Sequence, residues 1–220
     1  MLESRREELR ALGAATARVA AANLPPLPAR PTLADILTLR LHVPKFGMPS
    51  AVTPHCVQSA TQALRAGFDE EIVLACLLHD IGMGIARPDH GWWGAQLVEP
   101  YVSVKTSWAI RYHGALRFYP DSQAGYEYPD IYRTLYGPDY QPPTYIENAY
   151  RYALNHQWYM AARAITLFDD YSFDGNIAID IAPLHDLIGR HFRQPPEGLG
   201  NDSSPTAHMW RTIIAPDKPL

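Results

Sequence analysis

Apolar and polar residues follow a helical period along most of the chain, and no stretch shows the two-residue alternation of a strand. One run of apolar residues, from Ile72 to Leu78, has no polar side and leads directly into His79 and Asp80. A helix that is apolar on every side is surrounded by protein. The pattern therefore predicts an all-α fold with a buried helix that delivers His79 and Asp80 to the interior.

Further helices are predicted on both sides of this run. They cover residues 3–23, 32–41, 50–66, 90–97, 103–111, 155–170 and 178–192. Gly67 and Phe68 form a break before the buried helix, and Asp69 is its predicted N-cap. Residues 81–89 form a loop that contains Gly82, because glycine and proline recur there.

Proline and tyrosine mark the divisions of the chain. Four prolines within residues 24–31 enforce an extended connector, and Pro, Gly and Ser dominate the end of the chain. We therefore predict a helix and connector over residues 1–31, one helical domain over 32–192 and an irregular tail over 193–220. Nine tyrosines and many prolines between Tyr119 and Tyr152 predict an insertion of loops and short helices.

The composition excludes several classes of protein. Of the 220 residues, 47% are hydrophobic and 19% charged, and a formal charge of −4 does not favour nucleic acid or an anionic membrane as partner. No apolar run approaches the ~20 residues that span a bilayer, and the charged first ten residues do not resemble a signal peptide. Cys56 and Cys76 lie in apolar helical contexts and are interpreted as small buried hydrophobes. We expect a cytoplasmic protein in a reducing compartment.

His79 and Asp80 require a partner, because a buried carboxylate is normally paired or bound to a metal. An imidazole nitrogen and the two oxygens of one carboxylate can anchor one or two metal ions. The polar residues that qualify as their partners are His55, His90, His113 and Asp169.

Helical periodicity selects Asp169 from two neighbouring aspartates. One stripe with 4-3-4 spacing is otherwise apolar and ends in an aspartate: Trp158, Ala162, Ile165 and Asp169. Asp170 instead continues the polar stripe of Arg163 and Thr166. We therefore expect Asp169 to point inward, and Arg163, Thr166 and Asp170 to point outward.

Each of these residues also has an ordinary interpretation. A single interior histidine is more often a hydrogen-bonded core residue than a ligand, and an aspartate at a helix end is more often a cap. That interpretation is assigned to the remaining histidines: His42, His156, His185, His191 and His208. The candidate set differs because its members recur in order along a helical chain.

This ordered set resembles the HD-domain superfamily over residues 45–170. His55, Gln58 and Ala60 form a His-x-x-Gln-x-Ala pattern similar to the signature of its oxygenase branch. That branch includes myo-inositol oxygenase and the oxygenase that cleaves hydroxy-aminoethylphosphonate. Residues 67–82 and 90–95 are similar to the phosphonate enzyme, and residues 168–170 resemble the element that holds the family's last ligand.

The resemblance implies a helical bundle that holds two metals bridged by Asp80. His55, His79 and Asp169 would complete one site, and His90 and His113 the other. In the oxygenase branch the metals are a mixed-valent Fe(II)/Fe(III) pair that acts with dioxygen on a hydroxylated substrate, with His79 and Asp80 at the reaction centre. In the phosphohydrolase branch the same ligands serve hydrolysis of a phosphoester. The donor types suit iron, manganese, zinc or cobalt, so they do not choose between these metals.

Several positions depart from the family. Met83 stands where relatives carry Lys or His, and it can neither donate a proton nor carry charge. Lys45 or Phe46, with Met48, stand where the phosphonate enzymes have Tyr and Glu. Thr166 replaces an arginine. These differences argue against a phosphonate substrate and leave the ligand set intact.

Four residues are candidates for binding the substrate. Arg117, one turn after His113, matches in type the phosphonate-binding lysine of the family, while Lys45 and Gln58 are further candidates and Arg87 a weaker one. The ordinary interpretation of Arg117 is a solvated surface residue.

The leading hypothesis is a diiron oxygenase that acts on a small hydroxylated or amino-substituted substrate with dioxygen. One alternative is a metal-dependent phosphohydrolase of nucleotides or phosphomonoesters. The other is a metal-binding module without catalysis.

Overall fold

The computed structural model describes Leu33, Leu37 and residues 52–84, 89–170 and 180–193. Within these ranges the protein consists of eight α-helices and two 3-10 turns, and it contains no strand. A single β-bridge joins Asp121 to Tyr126. The all-α fold class is therefore confirmed for this part of the chain.

The α-helices are α1 (Val52–Arg65), α2 (Glu70–Leu78), α3 (His90–Val98), α4 (Val104–Leu116), α5 (Asp130–Tyr136), α6 (Thr144–Leu154), α7 (Tyr159–Asp170) and α8 (His185–His191). The 3-10 turns cover Ile81–Gly84 and Ala182–Leu184.

Helix α2 is the centre of the core, as the apolar run predicts. Every residue from Ile72 to Leu78 is at most 8% exposed, and the helix packs against α1, α4, α7 and α8. Asp69 is its N-cap, and the Asp69 carboxylate accepts a hydrogen bond of 3.0 Å from the backbone N–H of Ile72. Burying each large apolar side chain contributes about 1.5–3 kcal/mol, so this helix holds the surrounding ones together.

The break before α2 is a glycine turn. Gly67 has φ 78°, a left-handed conformation that residues with a Cβ rarely adopt. The N–H of Phe68 donates to the carbonyl of Ala63 at 3.1 Å, and that of Gly67 to Leu64 at 3.1 Å. These bonds satisfy the last carbonyls of α1 and turn the chain into α2.

The observed helix ends differ from the predicted ones in three places. Helix α4 continues to Leu116 rather than Arg111, so that His113 lies within its last turn. Helix α7 begins at Tyr159 rather than Asn155, because residues 155–158 form a turn. The predicted helix 178–192 is a 3-10 turn followed by α8, with Pro183 inside the turn, and residues 178 and 179 lie outside the described ranges.

The tyrosine-rich segment after α4 is more regular than predicted, since it includes the eleven residues of α6. Its rings form a cluster with neighbouring centroids 4.7–6.0 Å apart, made of Phe118, Tyr128, Tyr132, Tyr136 and Tyr140. Tyr152 of α6 packs on Tyr112 of α4 with ring centroids 5.2 Å apart. The segment thus covers the C-terminal half of α4.

Several predictions lie outside the described residues. These are the N-terminal helix 3–23, the proline-rich connector, the tail after residue 193 and most of the helix 32–41. Of that last helix, Leu33 and Leu37 are helical, Leu37 is fully buried, and its carbonyl accepts a hydrogen bond from the Thr53 hydroxyl. Each helix within the described ranges is too short or too polar to cross a membrane.

Candidate metal centre

The six predicted metal ligands converge in the interior. Five of them are fully buried, namely His55, His79, Asp80, His113 and Asp169. The sixth, the side chain of His90, is 12% exposed. They come from α1, the end of α2, the start of α3, and the C-terminal parts of α4 and α7. Side chains from five separate elements are therefore brought together at one buried position.

The first group of donors is formed by His55, His79 and Asp169. Their ligand atoms all lie within 4.8 Å of one another. Nε2 of His55 lies 2.7 Å from Oδ1 of Asp169 and 3.2 Å from Nε2 of His79. Nε2 of His79 lies 3.6 Å from the same Oδ1. Two nitrogens and one oxygen thus face a common point.

The second group is formed by Asp80, His90 and His113, again within 4.8 Å. Nε2 of His90 lies 3.0 Å from Oδ1 of Asp80. Asp80 also faces the first group, because its Oδ1 is 3.6 Å from Nε2 of His79 and its Oδ2 is 3.9 Å from Nε2 of His55. Asp80 is therefore the carboxylate between the two groups.

Backbone carbonyls orient two of the imidazoles. Nδ1 of His79 donates to the carbonyl of Cys76 at 2.7 Å, and Nδ1 of His113 donates to Ile110 at 2.6 Å. A carbonyl only accepts, so the proton is on Nδ1 and the lone pair of Nε2 faces the interior. Among the described residues, the buried Nε2 of His113 has no hydrogen-bond partner. Such an atom fits a metal ligand.

The pKa of His113 agrees with this role. Burial holds this pKa well below its usual range, and the neighbouring imidazoles of His79 and His90 also disfavour a positive charge on His113. The imidazole is therefore neutral around pH 7, which is the form that binds a metal.

Arg117 follows α4 directly and reaches the first group. Its Nη2 lies 2.8 Å from Oδ2 of Asp169, and its side chain is only 11% exposed. Its guanidinium also lies over the ring of Tyr132, 5.3 Å from the centroid. Burial alone would lower the pKa of Arg117, but the charge of Asp169 above all outweighs it and raises the pKa well above its ordinary value. The interpretation as a solvated surface residue is wrong.

Asp169 therefore uses its two oxygens differently. Oδ1 faces the imidazoles of His55 and His79, while Oδ2 is occupied by Arg117. A carboxylate held in this way presents one oxygen to a metal, and its orientation is set by the arginine.

Helix α7 shows one confirmed and one wrong prediction. Ala162, Ile165 and Asp169 are fully buried, as the inward stripe predicts. Arg163 and Thr166 were expected to point outward, but Arg163 is 0% exposed and Thr166 1%. The reason is that residues 116–126 cover this face of α7 and supply hydrogen-bond acceptors to it. The Asp170 side chain lies outside the described part.

The other predicted substrate residues are placed as follows. Gln58, one turn after His55 on α1, is buried. Met83 is also buried and belongs to the apolar core. Lys45 and Arg87 lie outside the described residues.

Cys56 is a possible donor that the sequence analysis missed. Its sulfur lies with ligand atoms of His79 and Asp80 in a third group within 4.8 Å. Its apolar context suggested only packing. The available signal was its position next to His55 on the same helix.

Cys76 is buried beside the centre, and burial raises the pKa of its thiol from 9.0 to about 12. Only a thiolate reacts with alkylating agents. We expect Cys76 of the native protein to resist iodoacetamide at about pH 8.5, where a free cysteine is half ionised. Peptide mass spectrometry should find it modified only after denaturation, and native modification at the rate of an unfolded thiol would contradict the buried site.

Comparison of the chain with models of known protein families gives no match, and comparison with curated proteins gives none either. The chemistry of the centre therefore follows from its own residues. Buried histidine, aspartate and cysteine groups at these distances can bind a metal ion, and mixed nitrogen and oxygen donors suit iron, manganese, zinc and cobalt.

Proposed function

We propose that the protein is an enzyme of the HD type with two iron ions, which oxidises a small hydroxylated or amino-substituted organic substrate with dioxygen. The observation that supports this most is the pair of buried donor groups on either side of Asp80. The first group would supply the imidazoles of His55 and His79 and the carboxylate of Asp169 to one ion. The second would supply the imidazoles of His90 and His113 and the carboxylate of Asp80 to the other.

The proposal assigns a role to each ligand. His55, His79 and Asp169 would hold one ion and His90 and His113 the other, and Asp80 would be shared between them. Bound iron would supply a Lewis acid for a substrate oxygen and an electron donor for dioxygen. His79 and His113 would offer Nε2 without rearrangement, because their Nδ1 atoms are already bonded to carbonyls.

Arg117 is the residue proposed to bind the substrate. Its Nη2 contacts Asp169, but among the described residues its buried Nε has no hydrogen-bond partner. One donor of a permanently charged group next to the centre is thus available to an anionic or hydroxyl group of the substrate. Met83 cannot act on that group, so proton transfer would fall to another group at the centre, such as the substrate itself or water.

The test is metal analysis of protein expressed with iron and purified under reducing conditions, with electron paramagnetic resonance after partial oxidation. Two irons per chain with a coupled mixed-valent signal, and dioxygen uptake with a hydroxylated substrate from a screened panel, are the expected result. Zinc, manganese or cobalt without that signal, together with hydrolysis of an aryl phosphate, would replace the proposal with a phosphohydrolase. Absence of any metal would overturn it.

Metal removal should also destabilise the protein. An ion that binds only the folded state raises the free energy of unfolding by about 4 kcal/mol when its free concentration is about 1,000 times its dissociation constant. For a chain of this size, we expect a chelator to lower the melting temperature by about 10 °C. Differential scanning fluorimetry of the Asp80→Ala variant is the control, because a chelator should have little effect on it. An unchanged melting curve after verified metal removal would argue against the buried centre.

A further inference from the structure

Arg163 on α7 is a fully buried arginine whose five N–H groups are all used. Nε and Nη2 donate to the hydroxyl of Tyr159 at 3.1 and 3.0 Å. Nη1 donates to the carbonyl of Leu116 at 3.1 Å and to the Thr166 hydroxyl at 3.3 Å. Nη2 also donates to the carbonyl of Tyr119 at 3.1 Å. The nearest acid, Asp121, has its Oδ2 3.8 Å from Nε.

These acceptors lie around Arg117. Leu116 is the last residue of α4, Arg117 is its C-cap, and Tyr119 follows two residues later. The end of a helix has exposed carbonyls and a partial negative charge, which suits a guanidinium. Arg163 therefore holds the backbone on both sides of Arg117.

Tyr126 completes the arrangement. Its hydroxyl donates to the carbonyl of Arg117 at 2.9 Å, and its ring lies 4.7 Å from the guanidinium carbon of Arg163. Tyr159, which accepts from Arg163, donates to Asp121 at 2.6 Å and so holds the turn that contains Tyr126. The backbone of Arg117 is thus held by groups that all converge on Arg163.

We propose that Arg163 is a positioning residue that places the Arg117 guanidinium on Asp169, and thereby turns Oδ1 of Asp169 towards His55 and His79. Arg163 and Asp169 belong to the same helix, whereas Arg117 is the C-cap of α4. The contacts of Arg163 therefore hold α4 against α7 where these two ligand-bearing helices approach each other. The consequence for catalysis rests on the proposed function, but the effect of Arg163 on Arg117 does not.

Packing alone does not explain a buried arginine. Apolar residues would join α4 to α7 without the cost of burying a charge. Lysine carries the same charge but has three donors and no planar fork, so it cannot reach the two carbonyls and the two hydroxyls together. Arg163→Lys should therefore fail to replace the arginine, although it keeps the charge.

The test measures the rate at which the Nε–H protons of arginine side chains exchange with water, by ¹⁵N NMR. The protein is supplied with zinc, because a diamagnetic ion does not broaden the signals. The Arg117 signal is identified by its loss in Arg117→Lys. In Arg163→Lys we expect the Nε–H of Arg117 to exchange with water about tenfold faster, because the side chain is no longer held in its buried position. The matched control is Arg151→Lys at an exposed pair on α6, which should leave the signal unchanged.

Leu187→Ala, which removes packing between α8 and α2, controls for general loss of stability and should also leave the exchange rate unchanged. If Arg163→Lys does not fold, the Tyr126→Phe variant decides, because it removes the hydrogen bond from the Tyr126 hydroxyl to the carbonyl of Arg117 and should speed exchange about threefold. An unchanged rate in the folded variant, or equal acceleration in Leu187→Ala, overturns the proposal. Iron content and dioxygen uptake, which decide the proposed function, are measured separately.

Discussion

Replacing Asp80 with alanine is expected to lower the metal content to less than one ion per chain, from the two ions of the proposed centre. Asp80 belongs to the second donor group and also faces the first, since its oxygens lie 3.0 Å from Nε2 of His90, 3.6 Å from Nε2 of His79 and 3.9 Å from Nε2 of His55. Without it the second group retains only two imidazoles, and the first loses a neighbouring carboxylate that would balance the charge of a second ion. Two imidazoles alone hold a divalent ion weakly.

The measurement is metal analysis after dialysis against buffer without metal. Asp130→Ala removes an exposed carboxylate at the start of α5 and is the matched control, which should keep both ions. The variant should remain folded, with a metal-free melting temperature close to that of the metal-free parent, because no apolar packing is lost. Two ions per chain in Asp80→Ala would show that the metal is bound elsewhere.

Replacing Gly82 with alanine is expected to lower the free energy of unfolding by about 3 kcal/mol. A Cβ at this position would lie 2.1 Å from the carbonyl oxygen of His90 and 2.6 Å from the backbone nitrogen of Gly94. Both atoms belong to the backbone of α3, so no side chain can rotate to make room. Helix α3 must shift, and it carries His90 away from Asp80.

Two readouts separate this effect from an ordinary loss of stability. Urea unfolding should report the destabilisation, and metal analysis should report loss of the ion held by Asp80, His90 and His113, with the ion at His55 retained. Gly114→Ala is the control, since its Cβ would meet no heavy atom of the described residues within 4 Å. A helix interior favours alanine over glycine by about 0.5–1 kcal/mol, so this variant should be slightly more stable. A Gly82→Ala protein with parental stability and both ions would contradict the close approach of the two segments.

Position along the helix was enough to select Asp169 over Asp170, because a polar residue on an apolar face stands out against its neighbours. His79 and Asp80 follow seven apolar residues, and Asp169 ends an apolar stripe; all three are fully buried. The same reasoning failed for Arg163. Its partners are carbonyls and hydroxyls from residues 116–126 and 159, and the periodicity of α7 carries no information about what covers each face.

Helix ends were predicted less well for a related reason. The end of α1 at Gly67 and the start of α2 at Asp69 are fixed by hydrogen bonds between residues close in sequence, which need no distant partner. The last carbonyl of α4, that of Leu116, instead accepts a hydrogen bond from Arg163 of another helix. A contact of this kind between distant segments cannot be inferred from the residues near the helix end.

By itself the sequence determined the helical class of the described residues, the burial of α2 and the inward position of Asp169, because each depends on the pattern of apolar and polar residues within one element. The other candidate ligands were named from polar residues in helical surroundings and from their order along the chain. Only the tertiary structure decided that Arg117 faces Asp169 and that Arg163 is buried. Those features depend on which distant segments meet, and the free energy of a buried charge is set by the partners that folding brings to it.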